Sequence, residues 1–188
     1  MTRTERAAWA AHHRRGDVLR AVVDHADRHR DGRLPDHVPG VFETFRDTTD
    51  LVSALQLRWH THLAGRVERA LMEQPTDLEA AVVSAWRETA DELAGVRLVL
   101  DRVAAEPPND ELRTALPRAA AKDRVLLAAM AGLAAPDDPE AARLGRALEE
   151  LARAGWRPHH PPAPRPDGRH RGGTSRSLVG RLKAVLAA

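Results

Sequence analysis

Histidines are the residues of this chain whose type and spacing come nearest to chemistry. His25 and His29 stand four apart, the helical spacing at which two imidazoles can share one metal ion. A metal centre needs a third ligand. Asp24, Asp31 and His37 are near in sequence, but spacing selects none of them. The same stretch half matches a calcium loop, with Asp27, His29, Asp31 and Gly32 at loop positions one, three, five and six. Val38 falls where such a loop requires a bidentate Glu, so calcium is excluded.

His60 and His62 form the second group, in the run Trp59-His60-Thr61-His62. Two residues apart on a helix they point to different sides and cannot both hold one ion. Arg58 and Arg66 flank His62 at four residues either way, and such cations disfavour a charged imidazole. The run therefore reads as a polar rim beside a core tryptophan. The sharper alternative is one histidine in a pocket between helices, recognising a small molecule or a metal.

Catalytic patterns are absent from the sequence. There is no Gly-x-Ser-x-Gly, no Gly-Lys-Ser/Thr phosphate loop, no Gly-x-Gly-x-x-Gly and no His-Glu-x-x-His. No Glu-x-x-His pair occurs, which removes the carboxylate-and-histidine pattern of helical di-iron bundles. There is no cysteine, hence no disulfide, thiolate ligand or thiol nucleophile. The residues favour a non-enzymatic protein without a cofactor.

The elements that must position these residues read as helices. Alanine and leucine carry an apolar fraction of 43%, aromatics make up only 3%, and no tyrosine is present. That composition favours helix over sheet. Residues 47–73 lie within the longest proline-free run, with Val52, Leu55, Trp59, Leu63, Val67, Ala70 and Leu71 at spacings of three and four. They define one face of a helix roughly 40 Å long. The expected fold is all-α, a single bundle of six or seven helices around this strut, over residues 1–156.

The remaining helices follow from start and stop signals. A first helix runs from a Thr2–Glu5 capping box to about Arg30, with Gly16-Asp17 able to kink or split it. Residues 31–40 read as a loop, and Val41–Phe45 as one turn whose two Phe side chains cover a helix end. A second capping box, Thr76 to Glu79, starts a helix to about Leu93 with Gly95 as its C-cap. A separate short helix spans Val96–Ala105. Asn109 caps another, ending at Leu116, and Pro117 opens the next. Residues 121–134 include the run Val125–Ala131, apolar on every side and so expected to be buried. Asp138-Pro139-Glu140 opens the last body helix, which ends at Gly155, and Trp156 folds back as a lid.

Charge divides the chain. From Arg157 onward seven basic residues face one acid, a net +6, so residues 1–156 carry −4 of a total of +2. Residues 157–173 hold five prolines and three glycines and read as a linker. Residues 174–188 read as a short amphipathic helix with Leu178, Val179, Leu182, Val185 and Leu186 on one side and Arg181 off it. The stretch Ser177-Leu178-Val179-Gly180-Arg181-Leu182, behind its Pro/Gly-rich linker, resembles the C-terminal loading peptides of encapsulin cargo proteins. The likeness covers those residues alone and implies a docking peptide offered to a partner groove.

The leading expectation is thus a cytoplasmic, non-enzymatic helical protein that engages a protein partner through this tail. The first alternative is a small-molecule or metal-binding domain using His60, His62 or His25 and His29. The second is weak attachment of the basic tail to an anionic membrane or to nucleic acid, nucleic acid being the less favoured. A surplus apolar helix face would make a homodimer possible. No apolar run is long enough to cross a membrane.

Overall fold

The structure, a computed structural model, describes residues 2–158 and, within them, all side chains except those of residues 3–12. Seven helices account for the described fold: α1 (Arg3–His29), α2 (Val41–Thr44), α3 (Thr48–Met72), α4 (Leu78–Glu92), α5 (Ala94–Ala105), α6 (Asp110–Met130) and α7 (Ala141–Gly155). No strand occurs among the described residues. The all-α bundle read from the sequence is the fold found. The tail residues Leu178, Val179, Arg181, Leu182, Val185 and Leu186, like the linker beyond Pro158, lie outside the described residues.

The strut is α3. The Asp47 side chain accepts from the Asp50 backbone N–H at 2.8 Å and starts the helix. Val52, Leu55, Trp59, Leu63 and Val67 are wholly excluded from solvent, as the stripe at spacings of three and four requires. Around it α4, α5, α6 and α1 pack directly, while α7 closes the bundle against α6 and α4. A row of indoles crosses the centre: Trp59 meets Trp86 edge-on at 5.6 Å, and Trp86 meets Trp156 at 5.9 Å. Such edge-to-face pairs align the positive ring edge with a negative face. Trp156 folds back as expected, and its indole N–H donates to Asp91 at 3.0 Å.

Several boundaries differ from the sequence reading. Gly16 does not split α1, which runs unbroken. The cap of α4 is Asp77, accepting from the Ala80 N–H at 2.9 Å, rather than Thr76. Pro117 lies inside α6 instead of opening a new helix. Its missing N–H leaves the Arg113 carbonyl without its partner, and both residues are exposed, where water can serve instead. Of the two phenylalanines only Phe45 is buried; Phe42 is 79% exposed. The run 125–131 is only partly enclosed: Leu127, Ala128 and Ala131 are buried, whereas Val125 and Leu126 are half-exposed.

Gly95 is not a C-cap but the closest contact between α1 and α5. A Cβ there would lie 2.1 Å from the Ala26 carbonyl, so no larger residue fits. The approach lets Asp27 of α1 accept the Gly95 N–H at 2.6 Å and cap α5 from another helix. Gly145 plays the same part between α7 and α6, where a Cβ would fall 1.8 Å from the Arg124 carbonyl oxygen.

Candidate functional site

The site grows from one face of α3 and one face of α6. Ser53, Gln56, Leu57 and His60 share a face of α3, spaced three, four and seven residues apart. Leu112, Ala115, Leu116, Ala119, Lys122 and Asp123 share the facing side of α6. The two helices run in the same direction, because Asn109 reaches Thr49 at their starts and Asp123 reaches His60 farther along. Ala115 and Ala119 are too small to fill the seam. A hollow of about 330 Å³ remains between the helices.

Its floor is polar and fixed. The His60 Nδ1–H donates to Asp123 Oδ1 at 2.6 Å, and the Gln56 amide donates to Asp123 Oδ2 at 3.1 Å. Asp123 is 8% exposed. Burial pushes its carboxyl above the ordinary range, while the His60 bond, the His60 charge and Arg97 oppose that rise. With Nδ1 committed to Asp123, the free nitrogen of His60 is Nε2. An aspartate that fixes a tautomer in this way makes the outer nitrogen a defined acceptor, or a donor when the ring is charged.

Behind this floor lies a second, more enclosed hollow of about 320 Å³, also lined by Asp123, Gln56 and Leu116. Asp123 is thus the wall between an outer groove and an inner polar cavity. Ion pairs from three helices line the inner one. Arg153 of α7 holds Asp101 of α5 through two contacts of 3.0 Å and Glu149 at 2.9 Å. Arg124 of α6 holds Glu149 at 2.8 Å. Arg97 of α5 pairs with Asp101 at 2.9 Å and lies 4.6 Å above the Trp59 ring, a cation on an aromatic face. Its Nε is buried without a protein partner. Burial pushes the Glu149 carboxyl up, but Arg124 and Arg153 more than offset it and hold it below the ordinary range.

The other histidines are placed apart from this site. His62 faces away from His60, as expected, with Nδ1 3.3 Å from Glu92. The arginine environment expected for it is corrected by the same acid, since Arg66 is itself held by Glu92 at 2.5 Å. That bond holds the Glu92 carboxyl below its ordinary range. His25 and His29 stack at 4.0 Å, and His37 meets His25 edge-on at 4.6 Å. The His29 Nδ1–H donates to the His25 carbonyl at 2.9 Å. Desolvation, then the neighbouring His29, His37 and Arg28, lower the His25 pKa. Among the described residues no group of three or more His, Asp or Glu side chains is arranged to hold a metal ion.

Sequence reasoning found His60 but missed Asp123, Gln56 and the arginine network. A signal was present. Lys122, Asp123 and Arg124 interrupt a segment read as buried, and three successive helical residues cannot all face away from a core.

No protein-family model matches the chain, and comparison with curated proteins and with solved structures returns no match. Nor is any helix among the described residues long and apolar enough to cross a membrane.

Proposed function

We propose that this protein is a small-molecule-binding helical protein whose ligand seats in the α3–α6 groove, above His60. The observation that carries this reading is the pairing of His60 with buried Asp123 at the floor of a hollow walled mainly by apolar side chains. Ligand sites combine apolar walls with a few fixed polar groups, and about 330 Å³ lies at the small end of their usual range. Among the described residues of the groove no nucleophile–base pair, which acyl transfer would require, is formed. Ser53 shares the groove with His60 but sits two helical turns away, roughly 10 Å along α3. The metal alternative has no such support, since among the described residues no group of three or more His, Asp or Glu side chains is arranged to hold an ion.

The test is a fragment screen read on the His60 ring by heteronuclear NMR, with Ala119→Phe as a groove-filling variant. Fragments should move the His60 resonances in the native protein and leave them unmoved in Ala119→Phe. If no fragment moves them, or if Ala119→Phe binds as well as the native chain, the reading fails.

A second reading keeps the tail as a docking segment, supported by the charge division at residue 156. Removing residues 157–188 should abolish partner capture, and a peptide of residues 174–188 should compete for it. Unchanged partners after the truncation would sink it. A gain of peptide helicity on anionic vesicles alone would favour membrane attachment instead.

A further inference from the structure

The ionisable groups of the groove gather at one end, and apolar side chains line most of its length. His60, Lys122 and Asp123 lie at the end reached last by both parallel helices, and Leu112 and Ser53 lie at the other. From Leu112 to Ala119 the wall extends about 10 Å along α6. Asp123 is the only acid on the wall, and both its oxygens are engaged, by His60 and Gln56. Lys122 is exposed on the rim and has no ion partner among the described residues.

We infer that the ligand is a small amphipathic monocarboxylate, held with its carboxylate between His60 and Lys122 and its apolar part along Leu57, Leu112, Ala115 and Ala119. This rests on the groove being a ligand site. Charge complementarity sets the class. An amine would meet Lys122, and a neutral alcohol would leave that cation unused. Size sets the length, since a hollow of about 330 Å³ suits a ligand of roughly ten non-hydrogen atoms. A linear or aryl-substituted carboxylate of that size also matches the length of the apolar wall.

A carboxylate against His60 Nε2 is best held by an N–H donor on that nitrogen. Nδ1 is already donating to Asp123, so a second N–H requires the imidazolium. The charged ring therefore suits a carboxylate, whereas the neutral ring, whose Nε2 accepts, suits an alcohol.

The experiment uses the full-length chain with octanoate, 1-octanol and octylamine as probes, followed by calorimetry and by the His60 ring signals. Octanoate should bind most tightly of the three. Lys122→Gln should weaken octanoate about fivefold and leave octanol unchanged, the effect of one partly exposed ion pair. His60→Gln should weaken octanoate as well. If octanol binds as tightly as octanoate, or Lys122→Gln leaves octanoate unaffected, the carboxylate assignment is overturned while the groove stands. If none of the three moves the His60 signals, the groove reading falls and the carboxylate with it.

Discussion

Replacing His60 by alanine isolates the Asp123 carboxylate and gives the sharpest test of the site's electrostatics. Asp123 sits 8% exposed and keeps only the Gln56 amide, at 3.1 Å, once His60 is gone. A hydrogen bond to a buried charged group contributes about 1.5–3 kcal/mol, and stranding a buried ion costs more. His60 is itself 41% exposed in its side chain, so water enters the vacated space and softens the loss. His60→Ala should therefore cost about 2–3 kcal/mol at pH 7, or about 5–10 °C in Tm for a body of this size.

The loss should depend on pH in a definite direction. Burial raises the Asp123 pKa above its ordinary 3.8. The folded protein thus holds that proton to higher pH than the unfolded chain. Ionising Asp123 consequently removes stability as pH rises from that ordinary value through the folded value. His60 supplies the two largest effects opposing the rise. Without it the folded pKa climbs further and the window of falling stability extends upward. The His60→Ala penalty should shrink to about 1 kcal/mol at pH 4 and grow to its full size at pH 7. Denaturant titrations of native protein, His60→Ala, Asp123→Asn and the double variant at both pH values measure this. In the Asp123→Asn background the His60→Ala penalty should fall below about 1 kcal/mol, because no buried charge remains to strand. A penalty equal at both pH values, or undiminished in that background, would refute the reasoning.

Three further outcomes follow from the packing. Arg153→Ala removes two contacts to Asp101 and one to Glu149, and should cost about 2–3 kcal/mol by calorimetry. Glu149 is held below its ordinary 4.5, so native stability carries a contribution present above that pH and lost as pH falls through the folded value; Arg153→Ala should flatten that acid slope. Gly145→Ala would press a Cβ into the Arg124 backbone and should lower stability by about 3 kcal/mol, while Gly65→Ala, with open space around it, should gain about 0.5–1 kcal/mol in a helix interior. Equal Tm values for these two glycine variants would contradict the α6–α7 contact. Trp156→Phe loses the bond to Asp91 and should cost about 1 kcal/mol, read from the urea midpoint; a midpoint unchanged from native would mean the indole N–H is not held.

The sequence by itself determined the helical class and the course of the strut. Periodic apolar residues at Val52, Leu55, Trp59, Leu63 and Val67 leave a helix only one way to hide them, and they are hidden. Asn109 marks a helix start because it accepts the Leu112 backbone N–H three residues on, a contact that needs no distant partner. Pro117 misled for the converse reason. Its local cost is real, but the long-range packing of α6 on α7 and α3 outweighs it. What only the tertiary structure decided is which polar residues meet. His60 and Asp123 are 63 positions apart, and no periodicity relates them. Two helices brought side by side, with alanines leaving the seam unfilled, turn a histidine that reads as a polar rim into the floor of a groove. The Trp59–His62 run thereby divides: His60 lines the groove, and His62 lies against Glu92.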